Sequence, residues 1–121
     1  MTDLFLYSFL SAGTGSYKKA PNSFMFSLVN PSGLGPTKIP LIQGKDGSAI
    51  LCNGSFGPIF GSAYSGDNYD LLISNSPNQS SSCQSTLNNS YWCPEGQNAA
   101  TFMAGNSTFS VSEIEVFAIE K

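Results

Sequence analysis

Residues 49–74 read AILCNGSFGPIFGSAYSGDNYDLLIS and contain two short apolar runs, 49–52 and 71–74, separated by a stretch rich in Gly and Ser. Neither run is long enough for a helix, and the residues between them interrupt any i, i+3, i+4 pattern of apolar positions. The rest of the chain shows the same short apolar runs between turn-forming residues. This pattern predicts an all-β chain.

The predicted strands are short and closely spaced. Since parallel strands need long crossover connections, the spacing favours a two-sheet antiparallel β-sandwich with long polar loops and little or no helix. Pro40 cannot donate to a ladder, so its strand is expected at a sheet edge. The Asp46-Gly47 pair predicts a hairpin turn that joins 41–42 to 49–50. The predicted strands cover residues 5–10, 24–29, 38–42, 49–52, 71–74, 101–104 and 111–119.

The 121 residues are expected to form a single domain, 1–121, because the hydrophobic fraction of 40% argues against disorder. Residues 75–90 consist mainly of Ser, Asn and Gln and predict a polar surface loop within that domain. The apolar run 4–10 is too short to span a bilayer. Its alternation favours a first strand over a secretory leader, because Asp3 rather than a basic residue precedes it.

The charged residues exclude several classes of function. The chain has five Lys, no Arg and no His, and its formal net charge is -3. The lack of His excludes Ser-His-Asp triads, Cys-His pairs and most zinc sites. Five Lys cannot form the basic stripe that nucleic acids require. We therefore expect no enzyme activity, no metal or other cofactor, no nucleic-acid partner and no membrane anchor.

The cysteines give evidence about the cellular location of the protein. Cys83 and Cys93 are close enough in sequence for a local disulfide, which would leave Cys52 as a buried free thiol. The alternative pairs Cys52 with Cys93. A disulfide indicates an oxidising compartment, so we expect an extracellular protein whose leader is not in this sequence. Four N-x-Ser/Thr sequons add mild support for secretion, and they begin at Asn53, Asn78, Asn88 and Asn106.

Three blocks occur in a characteristic order and spacing. The first is NSFMFSL at 22–28, and the last is FSVSEIEVF at 109–117. Between them, AILC at 49–52 is followed by FGPIFG at 56–61 and DLLIS at 70–74. Together the blocks resemble the central and C-terminal part of the TLDc domain, closest to its divergent invertebrate and protist versions. The resemblance covers most of the chain, from 18 to 117.

This resemblance implies a β-sandwich with accessory helices. In the best-known members of the family it also implies protection against oxidative stress and association with the vacuolar proton pump. The family has no agreed catalytic mechanism, so the resemblance assigns no catalytic residue.

Candidate ligand- or partner-binding residues lie in two places. Tyr91 and Trp92 follow the polar loop, where an exposed Trp could form a binding platform for a partner or a carbohydrate. Trp92 could equally fill one end of the sandwich. Asp67, Asn68 and Asp70 lie in a turn whose oxygens suit calcium, although Asx hydrogen bonds within the turn explain them more simply.

A pair of carboxylates is a weaker candidate. Glu113 and Glu115 lie two residues apart in a predicted strand, about 7 Å apart on one face, a separation that superficially suits glycosidase chemistry. Like charges so close together usually remain in solvent, so we assign the pair no catalytic role.

The sequence therefore predicts a non-enzymatic structural or protein-binding module that packs with partner proteins in an extracellular assembly. Its uncharged, hydroxyl-rich surface would suit a mineral- or silica-associated filament or matrix. One alternative is a lectin-like protein that binds carbohydrate through Trp92, Tyr91 and the turn at 67–70. A further alternative is an intracellular TLDc protein of the oxidation-resistance type, with reduced cysteines.

Overall fold

A computed structural model describes residues 3–7, 14–53, 56–62, 68–74 and 83–111. This part of the chain consists of short β-strands and one 3₁₀ helix, joined by turns and loops. The elements are β1 (Asp3–Tyr7), β2 (Thr14–Lys18), β3 (Phe24–Val29), β4 (Thr37–Pro40), the 3₁₀ helix (Asp46–Ser48), β5 (Ile50–Asn53), β6 (Ile59–Phe60), β7 (Leu71–Leu72), β8 (Cys83–Gln84) and β9 (Thr108–Phe109).

The strands form two antiparallel sheets. The smaller sheet has the order β1-β3-β4, and the larger has the order β2-β5-β6-β7-β8-β9. This confirms the predicted all-β class. Within the described ranges, the accessory helices implied by the family resemblance are represented only by the three-residue 3₁₀ helix. The same part of the chain contains no helix long and apolar enough to cross a membrane.

One apolar cluster joins the two sheets. The smaller sheet contributes Met25 and Ile39, which are completely buried. These side chains pack in one cluster with residues of the larger sheet and of the loops at 87–103. The members from the larger sheet and these loops are Ile50, Phe60, Leu71, Cys83, Leu87, Tyr91, Phe102 and Met103. The shared core makes the architecture a β-sandwich.

The strand that contains Pro40 lies at an edge, as predicted. In the ladder between β3 and β4, Phe24 is opposite Pro40 and Phe26 is opposite Lys38. On its other side, β4 has no neighbouring strand in the described sheet. The proline therefore occupies a position where its missing N–H leaves the β3–β4 pairing possible.

The predicted hairpin at Asp46-Gly47 is wrong. These residues begin a 3₁₀ helix, in which the Ser48 N–H donates to the Lys45 carbonyl at 3.1 Å. The flanking strands β4 and β5 belong to different sheets. Ile42 instead donates its N–H to the Ser90 carbonyl at 2.8 Å. The chain crosses from one sheet to the other here, so 41–42 and 49–50 do not pair with each other.

The described part of the predicted polar surface loop, residues 83–90, is only partly at the surface, where Asn88 is exposed. Residues 83–84 form β8, which lies between β7 and β9 in the larger sheet. Ser85, Leu87 and Ser90 are at most 2% exposed. The Ser85 hydroxyl donates to the Asp70 carbonyl at 2.8 Å, so its polar group is satisfied inside the protein. Polar composition was therefore a poor guide to exposure; residues 75–82 lie outside the described ranges.

Residues 101–104 form a turn rather than the predicted strand. Phe102 donates its N–H to the Asn98 carbonyl at 2.9 Å, and Gly105 donates to Thr101 at 2.8 Å. The Asn98 side chain accepts the Ala100 N–H at 2.9 Å, which closes the turn locally. Phe102 is still buried, which explains the apolar signal in the sequence. Apart from Val111, the strand predicted at 111–119 lies outside the described ranges.

Candidate binding surface on the smaller sheet

Asp70, a predicted ligand-binding residue, is completely buried. Its carboxylate accepts three backbone N–H bonds, from Asn89 at 3.1 Å, Ser90 at 2.8 Å and Tyr91 at 3.1 Å. Burial raises the pKa of Asp70 from 3.8 to about 6, while these donors act in the opposite direction. The side chain holds the segment 88–93 in place and has no surface to offer a ligand.

Two glycines of the FGPIFG block lie where neighbouring atoms leave no space for a side chain. Gly61 has a positive φ of 71°, and a Cβ there would overlap the Asp70 carboxylate. At Gly57, a Cβ would lie 2.7 Å from the Ile73 carbonyl oxygen, to which the Gly57 N–H donates at 2.8 Å. The block thus brings β6 against β7 and leaves space for the carboxylate.

Tyr91 is also buried rather than available for binding. Its hydroxyl donates to the Ala49 carbonyl at 3.0 Å and shares a hydrogen bond of 2.9 Å with the Ser23 hydroxyl. Burial raises the pKa of Tyr91 to about 12; the Ser23 bond lowers it, and the charge of Asp70 raises it further. Tyr91 therefore connects the two sheets through the core.

Trp92 is the exposed aromatic of this pair, with 52% of its surface accessible. The suggestion that Trp92 fills an end of the sandwich is therefore wrong. Its backbone N–H donates to the Pro40 carbonyl at 2.9 Å, next to a bridge between Leu41 and Tyr91. This backbone pairing, together with the bonds that the Asp70 carboxylate accepts from 89–91, places Trp92 beside the outer edge of β4.

The turn at 67–70 is divided between surface and core. Asn68 is exposed and Asp70 is buried, so these two side chains do not form a common site. Asp67 lies outside the described ranges, as do Glu113 and Glu115. Within those ranges, no group of three or more His, Cys, Asp and Glu side chains is arranged to hold a metal ion.

The predicted disulfide between Cys83 and Cys93 is not formed, and both thiols are free. The Cys83 side chain points into the core from β8, and its sulfur lies 3.9 Å from the Ser74 hydroxyl. The Cys93 thiol donates to the Gln97 carbonyl at 3.4 Å, and burial raises its pKa. Each sulfur thus has its own local contact, and closeness in sequence was not enough to predict a bridge.

The sequence analysis missed the outer face of the smaller sheet, formed by Phe24, Phe26, Leu28, Lys38 and Pro40. In β3 a polar side chain is buried, while several apolar side chains lie on the outer face. Ser27 is completely buried, whereas Leu28 is 38% exposed and the two Phe side chains are half-buried. The signal was present in NSFMFSL, because Met25 and Phe26 cannot both point inward from one strand.

A shallow groove lies on this outer face. It is lined by Phe24, Phe26, Pro36, Thr37 and Lys38, and its volume is about 370 Å³. The centroids of the two Phe rings are 6.1 Å apart, and the rings are tilted by 38°. Lys38 places its Nζ atom 4.3 Å from the centroid of the Phe24 ring. The groove therefore combines an apolar floor with a single cation at its side.

The described residues form an all-β domain with hydrogen-bonded polar groups in its core and with half-buried Phe24 and Phe26 on the outer face of the smaller sheet. A family model described as the TLDc domain matches residues 5–120. The chain therefore belongs to the TLDc family. No curated protein and no solved structure matched it.

Proposed function

We propose that this TLDc domain is a non-enzymatic protein-binding module that docks on partner proteins through the outer face and Trp92. The carrying observation is the inverted pattern of β3, which places Phe24, Phe26 and Leu28 outward and Ser27 inward. Exposed apolar faces of this kind are typical of interaction sites, since leaving aromatic surface in water is unfavourable.

The position of Trp92 supports the same proposal. The β3–β4 register places Phe24 opposite Pro40, and Trp92 is bonded to the Pro40 carbonyl on the other side. Trp and other aromatic residues dominate the binding energy of many protein interfaces because they bury a large area at little cost in entropy. The backbone of Trp92 is already held by a hydrogen bond, so only its side chain would have to be ordered on binding.

The polar groups with shifted pKa values also favour binding over catalysis. Asp70 and Tyr91 are enclosed in the core, where hydrogen bonds to the backbone use their polar atoms. A catalytic acid or base must reach its substrate, and neither residue is placed to do so. Burial in the core accounts for their raised pKa values without an active site.

The cellular location of the protein is a more specific part of the proposal. Low charge and the sequons support packing with partner proteins in an extracellular assembly, such as a mineral- or silica-associated filament or matrix. The free thiols of Cys83 and Cys93 remove the disulfide as an argument for that location. They are what the alternative, an intracellular protein of the oxidation-resistance type, requires.

A lectin-like function is the second candidate, and the exposure of Trp92 favours it. Aromatic rings form platforms for sugars as well as for proteins. The turn at 67–70 gives this candidate less support than the sequence suggested, because Asp70 is buried. A glycan array probed with wild type and with Trp92→Ala tests it; binding that requires Trp92 would favour the lectin over the protein-binding module.

The proposed function is tested by quantitative co-isolation from the native source. Wild type is compared with Phe26→Ser and Trp92→Ala, and with Leu34→Ser as a matched control. Leu34 is 39% exposed and does not line the groove. We expect partner proteins to be lost with both face variants and retained with the control. Equal recovery with all four proteins would show that the outer face is not the interface.

A further inference from the structure

We propose that the groove on the outer face selects partner segments in which a large apolar side chain lies next to a single carboxylate. This inference rests on the proposed protein-binding function and specifies the chemistry of the partner. Its basis is the arrangement of Lys38 beside the rings of Phe24 and Phe26.

The floor of the groove accepts an apolar side chain. With a volume of about 370 Å³, it is near the lower end of the range for small-molecule sites and is open on one side. Its lining includes the two tilted Phe rings and Pro36. A short segment that inserts one large side chain fits these dimensions better than an enclosed ligand does.

Lys38 supplies the charge preference. Among the residues that the structure describes, it is the only charged one that lines the groove, and its side chain is exposed. The ion pair found in the described ranges joins Lys19 to Asp46 at 3.6 Å, so no described carboxylate neutralises Lys38. A carboxylate on the partner can approach the Nζ atom while the adjacent side chain contacts the Phe rings.

The net charge limits how acidic the partner segment can be. The whole chain carries a formal charge of -3, which repels a run of acidic residues at long range. The attraction to Lys38 acts only over a short distance at physiological ionic strength. A single carboxylate next to an apolar side chain gains the local attraction and avoids most of the repulsion.

Docking through side chains is favoured over the addition of a strand to β4. Pro36 and Pro40 flank the exposed edge and provide no N–H donors. The Pro40 carbonyl is already bonded to the Trp92 N–H. The remaining free edge is too short to hold an extended peptide by its backbone, so the groove must supply the specificity.

A random octapeptide display library, panned against the intact chain, tests this inference. Four proteins are compared: wild type, Lys38→Glu, Phe26→Ser and the control Leu34→Ser. Thermal unfolding of each protein verifies that it is folded. Selected peptides are then synthesised with their carboxylate and with the corresponding amide, and their affinities are measured by fluorescence anisotropy.

We expect wild type and the control to enrich peptides with a carboxylate next to a large apolar residue. Lys38→Glu should weaken these peptides about tenfold, because an attraction becomes a repulsion of similar size. The amide forms should bind wild type several-fold more weakly, and Phe26→Ser should bind neither form.

Three results would overturn the inference. Peptides that depend on Phe26 but bind equally with carboxylate or amide would refute the charge preference and leave the protein-binding function standing. Enrichment that ignores both Phe26 and Lys38, or no enrichment by wild type over the unselected library, would refute the groove as a peptide site. Self-association of wild type through Phe26 without peptide enrichment, measured by analytical ultracentrifugation, would identify a second copy as the occupant instead.

Discussion

Replacing Asp70 by Asn should change how the stability of the domain depends on pH. In the folded protein, burial raises the pKa of Asp70 from 3.8 to about 6. Since one pKa unit corresponds to about 1.4 kcal/mol, ionising this carboxyl group in the core costs about 3 kcal/mol relative to ionising it in the unfolded chain. The stabilising contribution is complete below about pH 3.8 and is lost as the pH rises through about 6.

The Asn variant loses this pH dependence and one hydrogen bond. Oδ2 of Asp70 accepts from Asn89 and Tyr91, while Oδ1 accepts from Ser90. An Asn oxygen can replace Oδ2, but its NH₂ group then faces the Ser90 N–H, and a buried unsatisfied donor costs about 1–3 kcal/mol. We expect the variant to be less stable than wild type by about this amount at pH 4 and at least as stable at pH 7, where ionised Asp70 destabilises wild type by about 3 kcal/mol.

Urea unfolding, followed by far-UV circular dichroism at pH 4, 5, 6 and 7, measures this difference. Asp46→Asn is the control, because Asp46 forms an exposed ion pair with Lys19 and a surface pair contributes little. The stability difference between wild type and Asp70→Asn should shrink as the pH rises. A constant difference, or an advantage of wild type that grows with pH, would refute the reasoning.

Three further predictions concern single positions. Gly61→Ala should destabilise the domain by more than about 2 kcal/mol in urea unfolding, because the new methyl group overlaps a buried carboxylate at a positive φ; a smaller effect would show that the contact relaxes easily. In timed labelling of the native protein with iodoacetamide, Cys93 should react before the buried Cys83, and only above the usual pH because its pKa is raised; a disulfide-linked peptide in a non-reducing digest would contradict this. If the protein is secreted, mass spectrometry of native material should find glycan at Asn106, where the whole sequon is exposed, and none at Asn88, whose side chain accepts the Cys93 N–H at 2.8 Å; the reverse pattern would show that the folded structure does not control occupancy.

The all-β class, the strand at 24–29 and the sheet edge at Pro40 were predictable because they depend on local composition. Residues 24–29 alternate in a β-rich run, and the structure has a strand with these bounds. Pro40 required an edge because the missing N–H has the same effect in any fold. The family resemblance likewise depended on the order of blocks, which is a property of the sequence alone.

The candidate site was predicted only in part, because exposure depends on the partners of each residue. Tyr91 and Trp92 are adjacent in sequence, yet one is buried and the other is 52% exposed. Asp70 resembled a surface ligand until three N–H donors from a distant segment accounted for its carboxylate. The outer face was not predicted, because the side of β3 that is buried depends on which of its faces meets the other sheet.

By itself, the sequence determined that this protein is an all-β domain of the TLDc family with little charge and no His or Arg. These properties follow from short apolar runs, from turn residues and from the residue types that the sequence lacks, and they do not depend on long-range contacts. The tertiary structure decided which face of β3 is buried, that Asp70 and Tyr91 belong to the core, and that Cys83 and Cys93 do not pair. These outcomes depend on contacts between residues far apart in the chain, where the geometry of two packed sheets decides which side chains find partners.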